Sequence, residues 1–135
     1  LLDTPRVSVV GSRKATEDGL ARASRIGREL AEAGVTVVSG LAAGVDSVAM
    51  RSALKSRGKA GRGRVIGVIG TPIDEVYPKE NAKLQSSIAE NDLLFSQVPF
   101  YRYSMQPFRT KRYYFPERNE LMVSLGRDSA GRPRP

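Results

Sequence analysis

The sequence predicts an α/β protein with a doubly wound parallel sheet. Four short apolar runs recur along the chain, and strands buried on both faces of a parallel sheet have this pattern. Helical segments separate the runs, and strands that alternate with helices favour parallel pairing. The predicted strands are Val7–Val10, Val35–Val38, Val65–Ile69 and Leu93–Ser96. Right-handed crossovers put their carboxyl ends at one edge of the sheet, where such folds bind ligands.

Helices are predicted over residues 17–33, 45–55, 79–90 and 117–125. The first begins after Thr16, a favourable N-cap residue, and ends before Gly34, a favourable residue just past a helix end. A doubly wound sheet has its first strand near the centre, which predicts a central position for the residues that follow Val10.

The stretch Val35–Met50, which reads VTVVSGLAAGVDSVAM, carries a strand through small residues directly into a helix. The free N–H groups and the positive dipole end of a helix N-terminus suit a phosphate or another anion. A tight turn that binds nothing would need the same glycines and is an equal alternative. The chain contains neither GxGxxG nor GxxxxGK[ST], which disfavours nicotinamide dinucleotides and ordinary NTPase chemistry.

Composition excludes several classes of site and favours a polyanionic partner. The 135 residues are one domain's length and include no cysteine and no histidine, which excludes disulfides, thiolate nucleophiles, Cys/His zinc sites and imidazole chemistry. No apolar run approaches the roughly 20 residues of a membrane span, so a cytoplasmic location is expected. The formal charge of +8 favours nucleic acid as the partner, and a basic composition kept for solubility is the alternative.

Residues 98–114 interrupt the alternation of strands and helices. Seven of the nine aromatic residues lie between Phe100 and Phe115. The basic residues interleaved with them are Arg102, Arg109, Lys111 and Arg112. Aromatic rings stack on unpaired bases while cations engage phosphates, so two or three of these rings are expected to contact a ligand. The alternative is a loop held to the domain by its own rings.

Five segments together resemble the DNA-processing protein A (DprA/Smf) family, in that family's order and spacing. They are VVGSRKAT, VTVVSGLAAGVDSVAMRSAL, VIGVIGTPIDEVYPKEN, LLFSQVP and FPERNELMVSL. The resemblance implies a Rossmann-like, DNA-binding domain over residues 1–126, followed by a disordered tail at 127–135. Family members continue with another strand that 127–135 do not resemble, so the sheet is expected to be truncated at its C-terminal end.

The resemblance also implies a function. Proteins of this family bind and protect single-stranded DNA and hand it to the RecA recombinase in natural transformation, with no established catalytic step. A non-enzymatic protein without metal or cofactor is therefore expected, with single-stranded DNA, RecA and a second copy of the chain as partners. The fold is similar to that of the LOG phosphoribohydrolases, so a nucleotide sensor or hydrolase is the alternative. Their Pro-Gly-Gly-x-Gly-Thr-x-x-Glu motif is absent here.

The family motifs imply candidate site residues at the carboxyl edge of the sheet. The expected nucleic-acid contacts in these motifs are Arg13, Lys14, Lys79, Phe115, Arg118 and Asn119, and the segment of interleaved aromatic and basic residues adds Lys111 and Arg112. The residues expected to shape the pocket are Gly11, Ser12, Ser39, Gly40, Gly44, Asp46, Gly70 and Thr71. Two positions depart from the family pattern, with Met50 in place of the usual histidine and Gln97 in place of the usual glutamate.

Overall fold

Four parallel strands form one sheet in the order β1-β2-β3-β4 in a computed structural model, which describes residues 4–60, 63–99, 111, 114–126 and 132. The strands are β1 (Arg6–Ser8), β2 (Thr36–Ser39), β3 (Val65–Ile69) and β4 (Leu93–Ser96). Val7 pairs with Val37, and Val38 pairs with Ile66. The predicted parallel pairing and the adjacency of the first two strands are confirmed, and β1 begins one residue earlier than predicted.

The helices are α1 (Glu17–Glu32), α2 (Val45–Ala60), α3 (Ala82–Asn91) and α4 (Tyr114–Leu125), with a 3-10 turn at Lys79–Asn81 before α3. The α1 cap is as predicted, because the Thr16 hydroxyl accepts a hydrogen bond from the Gly19 N–H at 3.1 Å. Gly34 follows α1 with a φ of 77°, a backbone conformation that favours glycine. The last helix begins three residues before its predicted start.

The two faces of the sheet are covered by different helices. Three crossovers of one hand that step the same way along a sheet place their helices on one face. On that face Val37 and Ile69 pack in a core with residues of α1, α2 and α3. On the other face Val38 and Ile66 pack against Met122 of α4. Both faces of β2 and β3 are therefore buried, as their continuous apolar runs predicted, whereas Val7 of β1 and Phe95 of β4 are each 41% exposed.

The expected central position of β1 is wrong for the described strands. β1 lies at one edge of the sheet, because each successive strand adds on the same side of the previous one. Side chains of β1 hold the C-terminal half of α4. The Arg6 Nε donates to the Leu125 carbonyl at 2.7 Å, and the Ser8 hydroxyl donates to the Met122 carbonyl at 2.6 Å. A cation near a helix C-terminus is also favourable to the helix dipole.

The described helices include none with the length and apolar character that crossing a membrane requires. Gly126 is buried at the end of the predicted domain. The predicted tail lies outside the described residues apart from Arg132, and its disorder stays a prediction.

Candidate nucleic-acid interface

A cleft lies at the carboxyl edge of the sheet, where the connections after three strands meet the start of α4. The residues that line it are Arg13, Gly40, Ala42, Ala43, Gly70, Tyr77, Pro78, Phe115 and Arg118. It therefore forms where the parallel strands predicted a ligand site, although β1 approaches it from an edge of the sheet. The predicted site residues Arg13, Gly40, Gly70, Phe115 and Arg118 are brought together here.

The Asp46 carboxylate joins the ends of β1 and β2 beneath this cleft. Its two oxygens accept hydrogen bonds from the Gly11 N–H at 3.2 Å and from the Gly40 N–H at 3.1 Å. Asp46 is only 2% exposed, and this burial raises the pKa of its carboxyl group. The two N–H groups and the positive charge of Arg118 act against that increase. Asp46 is thus a structural link within the fold.

The N-terminus of α2 does not present its N–H groups to the cleft as an anion site would. The Val45 N–H donates to the Ser12 carbonyl, and the Ser47 N–H donates to the Ala42 carbonyl, both at 3.2 Å. Gly44 has a φ of 82°, and a side chain there would meet the Ser12 carbonyl oxygen at 2.3 Å. These contacts favour the tight-turn alternative for the stretch.

Two guanidinium groups lie close to the Phe115 ring. The Cζ atoms of Arg13 and Arg118 are 5.6 Å and 5.4 Å from the ring centroid, within the range of cation–π attraction. The ring also lies against the backbone of Gly70, where an added Cβ would be 2.7 Å from the Phe115 Cδ1 atom. Gly70 therefore allows the ring to approach the end of β3.

Arg118 is largely buried, with 7% of its surface exposed. Its Nη1 donates to the Gly40 carbonyl at 2.7 Å, and its Nε donates to the Asn119 side-chain oxygen at 3.0 Å. Burial lowers the pKa of Arg118; Asp46 opposes this change, and Arg13 adds to it. An arginine stays charged under such influences, so Arg118 supplies a fixed positive charge to the lining of the cleft.

Arg13, Lys14 and Lys79 are exposed, and no carboxylate of the described residues forms an ion pair with them. Arg13 lines the cleft, whereas Lys14 and Lys79 lie outside its lining. Lys79 begins the 3-10 turn that follows the cleft residue Pro78. Asn119 is exposed and bonded to Arg118. Direct contact of these residues with nucleic acid stays a prediction.

Tyr77 belongs to the cleft although the sequence analysis did not select it. Its ring centroid is 5.7 Å from that of Phe115, the two rings are inclined at 53°, and 52% of Tyr77 is exposed. The sequence does place an aromatic residue beside Pro78 in the Tyr-Pro-Lys segment, but only Lys79 of that segment was predicted to contact nucleic acid.

Several other candidates contribute elsewhere or lie outside the described part of the chain. The Ser39 hydroxyl donates to the Val9 carbonyl at 2.6 Å, while the Thr71 hydroxyl is buried with no hydrogen-bond partner among the described residues. Met50 is a core residue. Arg112 and five of the seven clustered aromatic residues are outside the described residues, and Lys111 is half-buried. Within the described part of the chain, no group of three His, Cys, Asp or Glu side chains could hold a metal ion.

Residues 1–129 match the family model described as DNA recombination-mediator protein A. The DNA processing protein DprA of Streptococcus pneumoniae is 38% identical over 127 residues, which cover 94% of this chain and 41% of the relative. Protein Smf of Synechocystis is 37% identical over 123 residues, which cover 91% of this chain and 28% of the relative. The chain thus spans less than half the length of these relatives.

Solved structures agree with the sequence relatives. The crystal structure of DprA from Streptococcus pneumoniae matches with a TM-score of 0.75 and 36% identity, over 93% of this chain and 40% of that one. DNA processing protein A from Helicobacter pylori, which has a described single-stranded DNA binding mode, matches with a TM-score of 0.75 and 32% identity, over 93% of this chain and 52% of that one. Because the family model matches residues 1–129 of its 135, this chain belongs to the DNA recombination-mediator protein A family.

Proposed function

We propose that this domain binds single-stranded DNA in the cleft at the carboxyl edge of the sheet. The observation that carries the proposal is Arg13, an exposed guanidinium without a described carboxylate partner, placed 5.6 Å from the Phe115 ring centroid. A cation beside an accessible aromatic surface suits a chain of phosphates and unpaired bases. The family's Helicobacter pylori relative, described as binding single-stranded DNA, supports the same reading.

The positive charges at the cleft favour binding of a polyanion. Arg13 and Arg118 flank the same ring, and the charge of Arg13 acts against that of Arg118. Two positive charges that lie close together repel each other, and an anion bound near both of them reduces that repulsion. In this proposal Arg13 contacts a phosphate directly, while Arg118, held in place by the hydrogen bonds of its Nη1 and Nε, supplies positive charge to the cleft.

The DNA strand contacts further residues beyond the cleft in this proposal. Tyr77 and Phe115 offer faces to unpaired bases, and every base has a face that can stack. Binding is therefore insensitive to sequence. The polar groups proposed to follow the backbone outside the cleft are Lys14, Lys79, Lys111, Arg112 and Asn119.

The biological role proposed is that of a DNA-processing protein in transformation and recombination, which protects single strands and hands them to RecA. The protein acts by binding and not by catalysis, because the cleft offers fixed cations, rings and backbone groups, which suit retention of a polyanion. Association with RecA and with a second copy of the chain belongs to the same proposal, and family membership supports it.

The test compares two variants that each replace one arginine by alanine and therefore remove the same charge. Arg13→Ala should weaken binding of an oligothymidine about tenfold and flatten the dependence of log Kd on log salt by about 0.7, the share of one phosphate contact on a single strand. Its melting temperature should stay close to that of the wild type, since Arg13 is exposed. Arg28→Ala, on the exposed surface of α1, should change neither affinity nor slope appreciably.

If Arg13→Ala lowers the melting temperature and leaves the affinity unchanged, Arg13 is structural and the proposal fails. Mononucleotides form the second arm of the experiment. Tight binding or hydrolysis of a mononucleotide, with weak binding of the oligonucleotide, would favour the nucleotide-processing alternative.

A further inference from the structure

Asn81 has a buried side chain whose amide nitrogen and amide oxygen are hydrogen-bonded to two different residues. It is 2% exposed and is the last residue of the 3-10 turn. Its Nδ2 donates to the Leu41 carbonyl at 2.8 Å, and its Oδ1 accepts from the Arg51 Nη2 at 2.9 Å. A backbone carbonyl only accepts and a guanidinium only donates, so this pair of partners requires an amide in one orientation.

The hydrogen bond between Asn81 and Leu41 connects two segments of the chain that form different walls of the cleft. Leu41 precedes Ala42 and Ala43, which line one wall, and Asn81 follows Tyr77 and Pro78, which line another. Among the described side-chain hydrogen bonds, the one between Asn81 and Leu41 joins these walls directly. The Asn81 N–H also donates to the Pro78 carbonyl at 3.0 Å, which closes the turn behind the wall.

The backbone at Leu41 is the part of this arrangement that most needs support. Leu41 has a φ of 57°, in the left-handed region that side chains other than glycine and asparagine rarely adopt. Its side chain is fully buried, and it would lie 2.6 Å from a Cβ added at Gly67. A residue keeps such a conformation only where its surroundings over-determine it, and the Asn81 bond is one of the contacts that do so.

We infer that Asn81 is a positioning residue for the nucleic-acid cleft, which fixes the Tyr77–Lys79 segment against the loop after β2. Its amide is buried, so it sets the spacing of the walls without touching the ligand. Arg51 fixes the orientation of that amide from α2. The inference rests on the proposed single-stranded DNA site.

The main variant is Asn81→Leu, which has a similar shape and no hydrogen-bonding group. Affinity for oligothymidine should fall about five- to twentyfold, measured well below the melting temperature, while the salt slope stays that of the wild type because no cation is lost. Arg51→Lys keeps the charge but loses the guanidinium geometry, and it should cost about two- to threefold. Asn91→Leu, at the exposed end of α3, is the matched control and should bind as the wild type does.

A double-mutant cycle separates positioning from general destabilisation. If Asn81 acts through the Tyr77 wall, Asn81→Leu should have little further effect on affinity in a Tyr77→Ala background, whereas independent effects would add. If Asn81→Leu does not fold, Arg51→Lys is taken through the same cycle. Additive losses, or wild-type affinity in the variant that folds, would overturn the inference.

Amide hydrogen exchange provides a readout that does not depend on DNA. Asn81→Leu or Arg51→Lys should speed exchange in the segments around Leu41 and Tyr77 and leave α1 unchanged. If the wild type binds no oligonucleotide, the proposed function fails while this measurement still tests the positioning. Unchanged exchange in both segments contradicts the positioning role whatever the DNA result.

Discussion

Two arginines whose surroundings differ lie close to the Phe115 ring. Arg118 is buried and its guanidinium is bonded to the Gly40 carbonyl, whereas Arg13 is exposed. Burying a charge is unfavourable unless it is paired or hydrogen-bonded, so the surroundings of Arg118 had to supply acceptors. An exposed arginine has no such requirement and keeps its donors for other partners. In the proposed site Arg118 therefore supplies a fixed charge, and Arg13 has donors available for a ligand.

Tyr77 should supply stacking energy to a bound single strand. Tyr77→Ala should weaken binding of oligothymidine by about 1–3 kcal/mol, the usual cost of removing one base–aromatic contact. Tyr77→Phe should retain most of the affinity because the ring and not the hydroxyl stacks. Fluorescence anisotropy with a labelled oligonucleotide measures both variants.

The neighbouring Val76 gives a matched control, because it is 39% exposed on the same connection and carries no ring. Val76→Ala should bind as the wild type does. Equal losses for Tyr77→Ala and Val76→Ala would mean that the connection as a whole, and not the Tyr77 ring, supports binding.

Among the helices, α1 and α2 approach each other closely through small side chains. Ala23, Gly27 and Ala31 are the buried residues of α1, and Ala49 and Ala53 are buried on α2. A Cβ added at Gly27 would lie 2.2 Å from the Ala49 carbonyl oxygen, which belongs to backbone and cannot rotate away. The spacing of the two helices is thus set by Gly27.

Two glycines of α1 should respond to alanine in opposite directions. Gly27→Ala should reduce the free energy of unfolding by about 1–3 kcal/mol because it over-packs the helix contact. Gly19→Ala should increase it by roughly 0.5 kcal/mol, since alanine favours helix and the nearest atom to its Cβ would be the Thr16 Oγ1 at 3.4 Å. Urea denaturation of both variants checks the signs, and a change of the same sign in both would contradict the close approach at Gly27.

Local patterns in the sequence predicted the elements well, and spatial arrangement less well. The apolar run Val65–Ile69 is a strand with the predicted bounds, because burial on both faces leaves a signal in every residue. The edge position of β1 could not be predicted in this way, because the residues of a strand do not determine on which side of it the next strand is added. The burial of Arg118 and the ring contact of Tyr77 depend on where α4 and the connection after β3 meet, and neither is local to its own segment.

The net charge of the whole molecule and the charge near the cleft predict different salt dependences for the binding of a single strand. If binding reflected the full formal charge of +8, log Kd for a single strand would change with log salt by a slope of about 6. If the five cations proposed to contact the backbone, which are Arg13, Lys14, Lys79, Lys111 and Arg112, are the phosphate contacts, the slope should be about 3.5. We expect the lower value, from titrations of oligothymidine across a range of sodium chloride concentrations.

Duplex DNA of the same length serves as the comparison in those titrations. It should bind more weakly than the single strand, because paired bases cannot stack on Tyr77 and Phe115. Equal affinity for the two forms, together with the steeper slope, would indicate attraction by the whole basic surface and not by the cleft.

The position of α4 in the chain has a consequence for how the protein emerges from the ribosome. A nascent chain that has reached Val98 contains all four strands, yet Val38, Ile66 and Val68 still lack the helix that covers them. The same helix carries Phe115 and Arg118, so the docking of α4 completes both this core and the cleft. The cleft proposed to bind nucleic acid is therefore complete only on a chain in which α4 already covers its face of the sheet.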